Sequence, residues 1–227
     1  MKRILFSVLA IAALHACNDA KKDDVKLKEF KMPDSAASIP VTTTAPVAMQ
    51  DTLKHTANDT IVAGKSIGYV SIDEKMELVG AELGRPDDGD AAMGKALSIW
   101  KSKPSGKGSD TVSHTITIYS TTNFGDKDEA PRVQNIRITS PFFKTAEMVK
   151  CGSTLVFIKM QYPTIKKPAA TYTDKATGEE IEIYDEQKQG ISFEINAAGK
   201  CVAIGVHKPG KKIFDTYLPM FPDLKRG

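Results

Sequence analysis

The sequence predicts an α+β fold of two tandem helix-plus-antiparallel-meander repeats, with a sheet that keeps one face open to water. Three observations predict it. Beyond residue 63, apolar residues at helical spacing are followed by a series of strand-like segments, and this order occurs twice. The strand-like segments alternate apolar and polar residues, and a period of two sorts side chains onto a dry and a wet sheet face. The two series also end alike, Asn135-Ile136-Arg137-Ile138-Thr139-Ser140-Pro141 against Ala203-Ile204-Gly205-Val206-His207-Lys208-Pro209, as duplication requires. Residues 64–140 are read as the first repeat and 141–227 as the second, with a C-terminal tail.

The chain ahead of them is of another kind. Met1 to Cys17 has a basic start (Lys2, Arg3), an apolar stretch from Ile4 to Leu14, and then Leu14-His15-Ala16-Cys17. The apolar stretch falls short of the ~20 residues a bilayer core needs, so it reads as a leader and not a span. It resembles a bacterial lipoprotein signal peptide: Leu14 and Ala16 fit the lipobox, and His15 departs from it. The resemblance implies a lipid anchor, with palmitate-type acylation, on Cys17. Asn18 and not Asp follows the cysteine, which implies outer-membrane delivery, facing the periplasm or the cell surface. The alternative is an ordinary secretory leader cleaved elsewhere. Residues 18–63 shift to Ala, Thr, Pro and charged residues and read as a flexible tether, spanning roughly 35–40 Å.

Composition narrows the function classes. The chain has 227 residues, 41% hydrophobic and 26% charged, which is ordinary for a globular protein. Of its 31 basic residues two lie in the leader, leaving near balance against 28 acidic ones, so a nucleic-acid partner lacks an electrostatic footing.

In the first repeat Ser71-Ile72-Asp73-Glu74 offers a capping box, and Met76, Val79, Gly80 and Leu83 recur at helical spacing until Gly84-Arg85-Pro86 stops the helix. Strands are expected at Leu97–Lys101, at Thr111–Tyr119 after the Pro104-Ser105-Gly106 turn, and at Arg132–Thr139. In the second repeat an apolar segment, Leu155–Met160, is stopped by Tyr162-Pro163. Strands follow at Thr171–Thr173, Glu180–Tyr184, Ile191–Ile195 and Cys201–His207, parted by Gly-containing turns. The tail, Phe214 to Leu224, either packs back over the core or docks a partner.

This order, with Leu83-Gly84-Arg85-Pro86 ending a helix, resembles the tandem repeat of the β-lactamase inhibitor protein (BLIP-like) fold and the related SmpA/OmlA (BamE-like) outer-membrane lipoproteins. It covers residues 66–209. Two features depart from the pattern: Gln161-Tyr162-Pro163 stands where a Gly-containing turn is expected, and one cysteine pair is present instead of one per repeat. None of the inhibitor's contact residues has a match here, so the resemblance implies architecture and an envelope setting, and not inhibition.

Alternation assigns Val112, His114, Ile116 and Ile118 to a dry face, together with Ile181, Ile183, Ile191, Phe193, Ile195, Val202, Ile204 and Val206. If Leu97 and Ile99 point inward, Trp100 joins Tyr119, Arg137, Tyr184 and His207 on the wet face. Trp, Tyr and Arg combine large contact area with a polar handle, which makes these five the candidate binding residues. Trp100 could equally cover the core where the halves meet.

With Cys17 acylated, Cys151 and Cys201 remain, to pair as a disulfide or stay as two thiols. Cys201 falls on the wet face in this register, so its partner must approach from the strand end. His114 and His207 are the only histidines past residue 63, too few for a His-rich metal site. Asp87-Asp88-Gly89-Asp90 lacks the ligand spacing of a calcium loop and reads as a turn capping a short helix. The acidic run from Glu179 to Glu186 reads as an exposed strand and turn. No catalytic constellation, cofactor or metal motif emerges. The expected function is a non-catalytic, outer-membrane-anchored lipoprotein that binds another envelope or extracellular protein through its open sheet face. The alternative is a small-ligand or glycan binder using a cleft between the repeats.

Overall fold

The computed structural model describes residues 58–104, 106, 112–221 and 223–227. The segment expected to be a leader, the expected lipidation site Cys17, the expected tether as far as residue 57, Ser105, Thr111 and Pro222 lie outside the described residues.

Two short helices and thirteen strands make up the described chain. In order they are β1 (Thr60–Val62), β2 (Ser66–Ile67), β3 (Val70–Ser71), α1 (Met76–Leu83), β4 (Asp88–Ala92), β5 (Lys95–Lys101), β6 (Thr115–Thr121) and β7 (Arg132–Ile138). Then come β8 (Lys144–Thr145), α2 (Leu155–Gln161), β9 (Ala170–Thr173), β10 (Glu180–Glu186), β11 (Ile191–Ile195), β12 (Cys201–His207) and β13 (Lys225–Arg226). The helices have 8 and 7 residues, so the balanced α+β repeat expected from the sequence is corrected: this is a mostly β protein. Thr60–Val62, expected to fall within the tether, is a strand.

Nine strands form one sheet in the order β13-β9-β10-β11-β12-β7-β6-β5-β4, and β3-β2-β1-β8 form a smaller second sheet. In the large sheet β4–β7 make one meander and β9–β12 another, and they meet where β12 pairs antiparallel with β7. There Gly205 lies opposite Arg137, with Ile204 opposite Ile138 and Val206 opposite Ile136, so the seam is symmetric about that central pair. Both central strands carry an extra residue at one point. Gln134 is passed over between Ser120–Val133 and Tyr119–Asn135, and Val202 between Ile195–Cys201 and Glu194–Ala203. Each bulge reverses which face the next residue uses. Val133 and Cys201 thereby join the interior formed by Ile118, Ile136, Phe193 and Ile204, and Val202 leaves it for the other face.

The second correction concerns the open face. One side of the large sheet is covered by α1, α2 and the small sheet, through Val79, Ile158, Ile61, Ile67 and Val70. The other side, expected to be wet, is covered over its second meander by the chain's own tail. Ile213, Phe214 and Phe221 pack there on Ala170, Tyr172, Ile181 and Ile183. The paired register explains the move of the two isoleucines: Ile183 stands opposite Glu194, whereas Tyr184 stands opposite Phe193. Every residue of β11 is buried, including Ser192 and Glu194.

Helix boundaries follow local chemistry only in part. Thr154 caps α2 by accepting from the Phe157 N–H at 3.2 Å. The expected capping box at Ser71 does not cap α1. Glu74 does accept from the Ser71 N–H at 2.8 Å, but within a turn that ends before Met76. Asp73 in that turn has φ 66°, and Gly84 ends the helix at φ 75°.

Candidate functional site

The five residues expected on a wet face do not share a surface. Trp100 and Tyr184 belong to the helix-side core, and Tyr119, Arg137 and His207 point to the tail side. Trp100 is 8% exposed and its Nε1 donates to the Gly84 carbonyl at 3.0 Å, at the end of α1. Tyr184 donates to Glu182 at 2.9 Å with the Lys159 ammonium over its ring, and burial, then Glu182, pushes its phenol up to about 12. Tyr119 accepts from the Tyr217 N–H of the tail at 3.0 Å. His207 is fully buried, its Nε2 2.9 Å from Asp185 and its Nδ1 3.1 Å from the Lys208 carbonyl. The proposed docking surface is therefore corrected to two buried linings. Alternation gives each face correctly in parts, but not which face remains in water once a tail is laid across the sheet.

Under the tail the sheet carries a closed polar cluster. Arg137 donates both its Nε and an Nη to the Glu194 carboxylate at 2.6 and 2.7 Å, and the Tyr172 hydroxyl donates to the same carboxylate at 2.6 Å. Glu194 is 1% exposed, so this fork satisfies a charge that would be costly alone. Burial by itself would weaken the guanidinium's hold on its proton, but the Glu194 charge and hydrogen bonds outweigh it and tighten that hold. The Tyr172 phenol is pushed far up by burial and by Glu194. Asn135 ties the tail by donating to the Ile213 carbonyl at 2.8 Å. Gly205 keeps room for it: a Cβ there would meet Ser192 Oγ at 2.5 Å and Ile213 Cδ1 at 2.8 Å. The cluster thus pairs the Glu194 charge with Arg137 and Tyr172 on the sheet face that the tail covers.

A cavity of about 440 Å³ opens instead beside the first meander, within the range of small-ligand sites. Leu83, Trp100, Ile116 and Phe143 supply its apolar wall, and Arg85, Asp87, Lys101, Ser102 and His114 supply polar groups. A smaller apolar recess shares Leu83, Ile116 and Phe143 with it and adds Ile67 and Phe142. Several polar groups are already engaged. Asp87 accepts from the Lys101 N–H at 2.7 Å, Ser102 Oγ from the His114 N–H at 2.9 Å, and the Lys101 ammonium lies 3.7 Å from Asp88. Among the described residues the Arg85 guanidinium and the His114 ring have no partner. Sequence reasoning placed His114 on a dry face as a core residue, whereas it is half-buried and lines this cavity. Arg85 and Phe143 were not singled out, because the lining comes from four separate stretches of chain.

The remaining chemistry is structural. Asp88 and Asp90 belong to strand β4, not to a turn capping a helix, and accept from the next residue's N–H, Gly89 and Ala91, each at 2.8 Å. In the acidic run Glu182 serves Tyr184, Asp185 serves His207, and Glu186 accepts from Thr164. Cys151 and Cys201 are both buried and both free thiols, on the helix-side core. Among the described residues no cluster of three or more His, Cys, Asp or Glu could hold a metal ion, and no helix is long and apolar enough to cross a membrane.

Comparison with known proteins returned no matching family model, no matching curated protein and no matching solved structure. The class defined by fold and site is thus a mostly β protein with a sheet partly covered by its own tail and an amphipathic cavity beside the first meander.

Proposed function

We propose that this protein is a non-catalytic, lipid-anchored binding protein of the bacterial envelope, and that its ligand is a small anionic amphiphile held in the cavity beside Trp100. The observation that carries the ligand is the pairing of an apolar wall with an uncommitted guanidinium. Leu83, Ile116 and Phe143 would take a short hydrocarbon body, and Arg85, with His114 and Lys101 nearby, would take a carboxylate or phosphate head. This replaces the reading of a protein docked on an open sheet face, since four of its five residues are buried and the fifth, Arg137, is half-buried and paired with Glu194. The anchor rests on Leu14, Ala16 and Cys17. An acyl chain buries methylenes at ~0.8 kcal/mol each, so more than one chain gives a lasting attachment.

Trp100 is the only tryptophan, so its fluorescence reports the cavity directly. Titration with a series of medium-chain carboxylates should change that emission saturably, and Arg85→Gln should weaken binding about tenfold, the worth of a charged hydrogen bond. Unchanged emission across carboxylates and alkyl phosphates would remove this ligand class. Metabolic labelling with a palmitate analogue tests the anchor separately: label should be lost in Cys17→Ala, and an unlabelled wild-type chain refutes acylation.

A further inference from the structure

The two meanders are opened by the same backbone motif. In the first, the Asp73 N–H donates to the Val133 carbonyl and the Val133 N–H to the Glu74 carbonyl, both at 2.9 Å. In the second, the Gly152 N–H donates to the Cys201 carbonyl at 2.7 Å and the Cys201 N–H to the Ser153 carbonyl at 2.9 Å. Bridges Lys75–Arg132 and Thr154–Lys200 continue the match. Cys151 and Cys201 therefore occupy the places that Ile72 and Val133 hold in the first half. The bulge at Val202 turns Cys201 off the tail side and into the core that contains Cys151. The neighbouring Cys151, then burial, raises the Cys201 thiol well above its ordinary value, while Cys151 Sγ donates to the Ile138 carbonyl at 3.8 Å and Cys201 Sγ to the Ala203 carbonyl at 3.2 Å.

We propose that Cys151 and Cys201 are a redox-convertible pair that closes into a disulfide as the chain folds, stapling the second meander where the first relies on packing alone. In the conversion the two thiols lose two protons and two electrons and the Sγ–Sγ bond forms. A disulfide-bearing oxidant accepts both electrons and protons and leaves as two thiols. The enclosed loop contains α2, β9, β10 and β11, so the bond restricts most of the second meander in the unfolded chain. The thiols are 6% and 2% exposed, which keeps an oxidant from them in the folded state and places the conversion during folding or on opening.

The test is refolding of the reduced full chain with oxidised glutathione, followed by peptide mapping and thermal denaturation. A Cys151–Cys201 linked peptide is expected, with a midpoint about 10 °C higher that returns to the starting value on reduction. The double variant Cys151→Ile/Cys201→Val, which copies the first half, should fold and show no response to redox buffer. Free thiols after refolding, or an equal midpoint shift in the double variant, would overturn the proposal.

Discussion

The two meanders have the same strand order and the same opening motif but bury it differently. In the second, β9 alternates buried and half-buried residues, and β11 is buried on both faces. In the first, the outer strand β4 is exposed at four of its five positions, and β5 has one buried residue, Trp100. The tail makes the difference. Tail and helices together sandwich the second meander, while the tail reaches the first mainly through Tyr217, near Tyr119, Met93 and Lys95. A cavity with an uncommitted guanidinium survives where coverage is thin. Local stability tracks buried apolar contact, so the half that is spared for binding is also the half expected to open first.

That contrast can be broken most directly at its strongest point. Glu194→Gln removes the charge that satisfies Arg137 and should cost about 3–5 kcal/mol, read as a lower urea midpoint at unchanged slope. A cost no larger than that of an exposed ion pair would mean that the tail-side cluster does not hold the second meander.

High pH sharpens the same contrast. Tyr162, Tyr172 and Tyr184 all pack with the second half, and burial raises each phenol, Tyr162 and Tyr184 to about 12. Because the folded values lie above the ordinary 10.0, their contribution is fully present below pH 10 and is lost as pH rises from there through about 12. Tyrosinate absorbance should rise together with loss of amide protection in β9–β12, ahead of β5–β7. Ionisation with protection intact would show that the phenols are not buried in solution.

The smallest effect belongs to the exposed edge. Asp88→Ala/Asp90→Ala frees the Gly89 and Ala91 N–H groups on β4, with a stability change within about 0.5 kcal/mol. Sedimentation should nevertheless show self-association, since an unprotected edge strand pairs with other chains. A monomeric variant would show that the carboxylates do not guard the edge.

Much of the strand inventory was legible because period two and turn residues are local signals. Ile191–Ile195 and Cys201–His207 are found where expected, and Leu83-Gly84 does end α1. β4 was missed because Asp-Asp-Gly-Asp has turn composition, and its strand conformation comes from pairing with β5. The very short strands β1, β2, β3 and β8 carry too few residues for a period to show.

The amino-acid sequence determined where strands alternate, where turns fall, and that Ile116, Ile118, Phe193 and Ile204 look into one interior, because these depend on neighbours along the chain. Only the tertiary structure decided that both faces of the second meander are dry, that the bulges at Gln134 and Val202 turn Val133 and Cys201 inward, and that Arg85 and His114 meet Phe143 at a cavity. A bulge leaves no mark in hydrophobic period, and a covering segment acts across the sheet from residues far along the chain. Which face stays in water is therefore a property of the packed whole.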